Sequence, residues 1–151
     1  MPGGTFSIHV DATPEQVYDL VSDITRMGEW SPETYKTAWR GGATGPVPGA
    51  RFRGWNKHGP VRWFTDPVID RAERGEELSF TTTMFGRGRF THWAYRMHAA
   101  PGGGTELEES WEQQGAVPIF TRFFVSEKRT ADMHAGMEAT LQRIKAAAER
   151  S

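Results

Sequence analysis

The stretch SEKRTADMHAGMEATLQRIKAAAER, residues 126–150, decides how the rest of the chain must be arranged. Met133, Met137, Leu141, Ile144 and Ala148 recur at steps of four, four, three and four, which is one stripe of an α-helix. Lys128, Arg129, Asp132, Glu138, Gln142, Arg143, Lys145 and Glu149 fall mostly on the far side. Ala139, Ala146 and Ala147 favour the helix, no proline interrupts it, and Gly136 is the single weak point, at about 1 kcal/mol against alanine. Such a helix is roughly 35 Å long at 1.5 Å per residue. Its four large apolar side chains contribute about 6–12 kcal/mol on burial before entropy is subtracted. It therefore demands a large apolar surface to lie on.

The preceding residues supply that surface. Phe6, Ile8 and Val10 alternate with Ser7, His9 and Asp11, a half-buried strand. Thr13-Pro14-Glu15-Gln16 starts a helix: Thr13 caps, Pro14 suits the first helical position and Gln16 completes a capping box. Val17, Leu20, Val21 and Ile24 form its buried stripe, and a loop or second short helix runs on to Trp30-Ser31-Pro32. From there to residue 113 the period is two. Tyr35, Thr37 and Trp39 share one face of a strand. Phe52, Gly54 and Asn56 share another. Val61, Trp63, Thr65 and Ile69 make a third, with Pro67 signalling an edge or a bulge. Leu78, Phe80, Thr82 and Met84, then Trp93, Tyr95 and Met97, then Leu107, Glu109 and Trp111 complete the series. Short Gly- and Pro-rich turns join these strands, so an antiparallel meander with one covered and one wet face is expected. Residues 117–125 are too apolar for an ordinary loop and read either as an apolar lid or as an early start of the last helix. Lys128 and Arg129 in a first turn would oppose the helix dipole, which favours the early start.

Composition excludes several function classes. The 151 residues fit one domain, 1–151, with a full core. Eighteen basic and 19 acidic residues nearly cancel, which argues against a nucleic-acid or anionic-membrane partner. The absence of cysteine rules out disulfides and thiolate catalysis. MPGGTFSIHV lacks the features of a signal peptide and no apolar run is long enough to span a membrane, so a cytoplasmic protein without membrane insertion is expected. The five histidines share no metal-ligand spacing, there is no HExxH, nucleophile elbow or phosphate loop, and neither metal nor cofactor is expected. His134 neighbours the buried stripe, and the outward cations Arg51, Arg53, Lys57 and Arg62 read as a solvated face.

The order strand, helix pair, meander, long final helix resembles the helix-grip fold of the START-like superfamily. More closely, the chain is similar to the bacterial polyketide cyclase/dehydrase and lipid-transport (SRPBCC) family. The resemblance covers nearly the whole chain. It rests on Val10-Asp11-Ala12-Thr13-Pro14-Glu15-Gln16-Val17-Tyr18, on Asp23 through Trp30-Ser31-Pro32, on Gly49-Ala50-Arg51-Phe52, on Gly104-Thr105-Glu106-Leu107 and on the helix from Met137 to Leu141. It implies an α+β fold, with an antiparallel curved sheet of six to seven strands gripping the long helix and two short helices after the first strand. It also implies a cavity between sheet and helix, but no single activity, because fold does not determine function.

Two constellations follow. Phe52, Trp63, Thr65, Phe80, Trp93, Tyr95, Leu107 and Trp111 converge on Met133, Met137 and Leu141 if the covered strand faces look inward. Such residues build either a plain core or an adaptable wall for a flat hydrophobic ligand. In phase with them lie the polar Asn56, Thr65, Thr82, Tyr95 and Glu109, which a wet cavity tolerates and a dry core does not. Glu109 in an apolar pocket would have a raised pKa and serve as acid or base, whereas pairing with Arg89 or Arg122 would make it structural. The leading expectation is a binder of a small hydrophobic molecule, lipid or polyketide-like. The alternatives are a cyclase/aromatase/dehydratase-like enzyme using Glu109, Tyr95 and Asn56, and a co-chaperone-like interaction module with a collapsed cavity.

Overall fold

The computed structural model describes residues 3–84, 87–114 and 127–150. Strand β1 (Gly3–Val10) leads into helix α1 (Pro14–Val21) and a 3₁₀ helix (Ile24–Glu29). Seven strands follow: β2 (Thr34–Arg40), β3 (Arg51–His58), β4 (Val61–Thr65), β5 (Val68–Glu73), β6 (Glu77–Met84), β7 (Arg87–Ala99) and β8 (Thr105–Gln113). Helix α2 (Glu127–Arg150) completes the described chain. The capping box at α1 forms as the sequence predicts: Gln16 N–H donates to Thr13 Oγ1 at 3.1 Å and Thr13 N–H to Gln16 Oε1 at 2.8 Å.

The strands form one curled antiparallel sheet in the order β1-β8-β7-β6-β5-β3-β2, with β4 paired to β3 off this path. The run from Val61 to Ile69, read from sequence as one strand, is two. Asp66 and Pro67 separate them, and Asp66 N–H bonds instead to Thr83 O at 2.9 Å. One half of β3 therefore pairs with β4 and its other end meets β5, which carries the sheet round its bend. The expected alternation of β2 also breaks. A bulge between Thr34 and Lys36 turns Tyr35 outward, where it is 46 % exposed, because an extra residue in a ladder reverses the facing of its side chain.

The 24 residues of α2 lie along this sheet and touch two different environments. Leu141, Ile144 and Ala148 are buried in a closed core with Val10, Val17, Val21, Ile24, Leu78 and Leu107, where α1 and the 3₁₀ helix fill the end of the sheet. Met137 and Met133, one and two turns earlier, lie over a hollow. Gly136 has a positional reason: a Cβ there would stand 3.3 Å from Pro32 Cγ, so the missing side chain lets the helix approach the segment before β2. The apolar segment 117–125 falls outside the described residues.

Candidate functional site

The hollow is a partly open cavity of about 820 Å³ between the bent sheet and the first half of α2. Cross-strand register gives its floor a layered chemistry. Tyr95 and Glu109 stand side by side on β7 and β8, with Leu78 of the closed core opposite Tyr95 on β6. Two residues along each strand stand Phe80, Trp93 and Trp111, and two further Thr82, Thr91 and Gln113. A row with polar members, an aromatic row and a second polar row thus follow one another at about 7 Å steps. Trp93 and Trp111 lie 6.4 Å apart between centroids, and Phe80 meets Phe52 edge-on at 5.3 Å. Trp111 is fixed from behind, since its Nε1–H donates to His134 Nε2 at 3.1 Å. That bond leaves His134 occupied with the tryptophan. The His134 and Trp111 rings approach β1 this closely only because residue 4 is glycine: a Cβ at Gly4 would sit 2.9 Å from His134 Nε2 and 3.1 Å from Trp111 Nε1.

Of the residues singled out in the sequence, Phe52, Asn56, Trp63, Thr65, Phe80, Thr82, Trp93, Tyr95, Glu109, Trp111, Met133 and Met137 stand on the cavity wall. Leu107 and Leu141 do not. They are almost wholly buried in the closed core, because Leu107 pairs opposite Ile8 and Met97, in the part of the sheet that α1 already covers. Asn56 is tied down locally: its Oδ1 accepts from Thr34 Oγ1 at 2.6 Å and its Nδ2 donates to Gly54 O at 3.4 Å.

Glu109 is 3 % exposed and is paired with neither arginine suggested by the sequence. Arg89 is turned to the outer face, where it bonds Asp70 and Thr81, and Arg122 falls outside the described residues. The partner of Glu109 is its cross-strand neighbour: Tyr95 Oη–H donates to Glu109 Oε2 at 2.8 Å. Burial pushes the Glu109 carboxyl up to about 8, against the smaller opposing effect of the tyrosine bond. Burial, with the carboxyl beside it, holds the Tyr95 phenol well above its usual value. Glu109 Oε1 and Gln113 Oε1 are buried without a hydrogen-bond partner among the described residues.

Sequence reasoning missed the charged part of the wall. Arg129, assigned by its charge to the outer side of α2, is 4 % exposed and lines the cavity. It bonds Glu33 and lies 5.6 Å from the centroid of Trp63. Burial outweighs the arginine and leaves the Glu33 carboxyl above its ordinary range. Beside this pair His58 Nε2 and Asp132 Oδ2 are 2.9 Å apart, joining the β3–β4 turn to α2. The signal for Arg129 was its position four residues before Met133, on the same stripe. Gln113 and Thr91 were likewise in phase with Trp111 and Trp93. Among the described residues no group of His, Asp and Glu is placed to hold a metal ion, and no helix is long and apolar enough to cross a membrane.

A curled antiparallel sheet wrapped round a long terminal helix defines the helix-grip class, here with a hollow between the two. Residues 1–149 match the family described as polyketide cyclase / dehydrase and lipid transport, and the chain belongs to it. The chain is 35 % identical to a Polyketide_cyc-like protein from Corynebacterium glutamicum, with a TM-score of 0.63, covering 96 % of this chain and 91 % of that one. A START superfamily protein from Mycobacterium smegmatis shares the fold at 13 % identity and a TM-score of 0.70, over 98 % and 97 % of the two chains. The di-domain ARO/CYC of the steffimycin biosynthetic pathway shares it at 12 % identity and 0.74, over 98 % of this chain and 50 % of that one. No curated protein matches the chain.

Proposed function

We propose that the protein binds a small hydrophobic or aromatic molecule in the cavity under the first half of α2. The observation that carries this reading is the hollow itself. About 820 Å³ is left where a sheet-on-helix core would ordinarily be packed, and its middle row is aromatic. Interiors are normally filled to crystal-like density, so a void of this size is in the range of ligand pockets. The same void weighs against an interaction module with a collapsed cavity. Native mass spectrometry of protein purified without denaturation tests the reading. A copurified small molecule, lost on substituting Trp for Thr82 so as to fill the cavity, supports it. Apo mass from several hosts, with no thermal stabilisation by a panel of hydrophobic compounds, overturns it.

The Tyr95–Glu109 pair favours a second reading, a cyclase-, aromatase- or dehydratase-like enzyme. A buried carboxyl that titrates near neutrality can lend and take back a proton, with Tyr95 orienting it. Asn56 has less freedom, since both ends of its amide are bonded to Thr34 and Gly54. Turnover of a polyketide-like substrate abolished by Glu109→Gln would select this reading over simple binding.

A further inference from the structure

We infer that the cavity recognises an uncharged carbonyl on its ligand, through a hydrogen bond donated by Glu109 at the inner end of the aromatic row. The inference rests on the ligand-binding reading above and names the chemistry of the ligand.

The geometry assigns the roles of the two carboxyl oxygens. Oε2 accepts the Tyr95 hydroxyl at 2.8 Å, so it is the unprotonated oxygen of the neutral acid. The acid proton then belongs on Oε1, which is buried on a residue of the cavity wall and has no partner among the described residues. At neutral pH the group is mostly protonated, because burial lifts it to about 8. Oε1–H is therefore a buried donor that lacks an acceptor among the described residues, and leaving one unmade is costly. A ligand oxygen supplies the missing acceptor. Cavity-lining neighbours in its own and the adjoining row are Tyr95, which is already donating, and the rings of Phe80, Trp93 and Trp111. Beside these rings an anionic acceptor would have to shed its water, which disfavours carboxylates, and the buried Arg129 elsewhere on the wall is already bonded to Glu33. A neutral carbonyl meets the donor without that penalty. The aromatic row lies one layer away, about 7 Å along the strands, so the carbonyl should project from the end of a flat apolar body that covers Trp93 and Trp111.

A matched set of probes tests this on the intact protein: 2-acetylnaphthalene, its hydrocarbon counterpart 2-isopropenylnaphthalene, and 2-naphthoate, followed by calorimetry at pH 6.5. The ketone should bind about tenfold more tightly than the hydrocarbon, the worth of one well-placed hydrogen bond, and the carboxylate should bind most weakly. Glu109→Gln, which retains an N–H donor, should keep most of the preference, and Glu109→Met should erase it. Equal affinity for ketone and hydrocarbon in the unsubstituted protein overturns the carbonyl assignment while leaving a hydrophobic binder. Tighter binding of the carboxylate than of the ketone overturns it too. Failure of all three probes to bind, with no other hydrophobic compound bound, overturns the binding reading itself.

Discussion

Tyr95 and Glu109 face each other directly across the β7–β8 ladder, and the tyrosine hydroxyl donates to the carboxyl oxygen Oε2 at 2.8 Å. This puts a polar pair next to the closed core and at the inner end of the aromatic row.

The raised carboxyl makes stability depend on pH. Glu109 keeps its proton to about 8 in the folded chain, whereas an unfolded glutamate loses it near 4.5. Between those values the folded state binds more protons, so stability falls as pH rises through the window and levels off above it. The loss is on the order of a few kcal/mol. Urea denaturation at half-unit steps from pH 4.5 to 9 should show a downward slope that Glu109→Gln flattens. An unchanged slope in the variant would place the titration elsewhere.

Helix α2 should respond unevenly to truncation. Ile144→Ala, in the closed core, should cost about 3 kcal/mol or more. Met133→Ala, over the hollow, should cost about 1 kcal/mol or less, because fewer partner atoms are lost. Denaturant midpoints of the two variants measure the difference.

Arg129→Met should destabilise the fold by about 3 kcal/mol, since it strands the Glu33 carboxylate beside the cavity. Glu33→Gln in the same chain should recover much of that loss. The coupling energy from the four-member mutant cycle should exceed about 1 kcal/mol. Additive losses would mean that the pair contributes through packing alone.

Gly4→Ala should disturb the hydrogen bond between Trp111 and His134 from the outside. The new methyl meets both ring nitrogens within about 3 Å, and relief of such overpacking costs about 1–3 kcal/mol. Tryptophan fluorescence should change together with the melting temperature. An unaltered emission spectrum would show that the methyl is accommodated without disturbing the Trp111–His134 contact.

The places where sequence reading stopped short have physical causes. Tyr35 kept the strand period in the sequence but is turned out by a bulge, a backbone event that alternation alone does not register. Leu107 and Leu141 carried the right period and face inward, yet the space opposite them is occupied by α1 and the 3₁₀ helix. Arg129 was misplaced because charge was weighed above its four-residue spacing to Met133.

Local spacing along the chain determined the order of elements, the face each one buries and the capping box at α1, because these depend on neighbours within a few residues. It also brought Glu109 into phase with the aromatic wall. Only the tertiary structure decided that α2 is packed solid over one half and roofs a cavity over the other. It alone gave Glu109 to Tyr95 rather than to an arginine, and buried Arg129 against Glu33 and Trp63. Each of these outcomes is set by what stands opposite a side chain in space, and residues distant in sequence decide that.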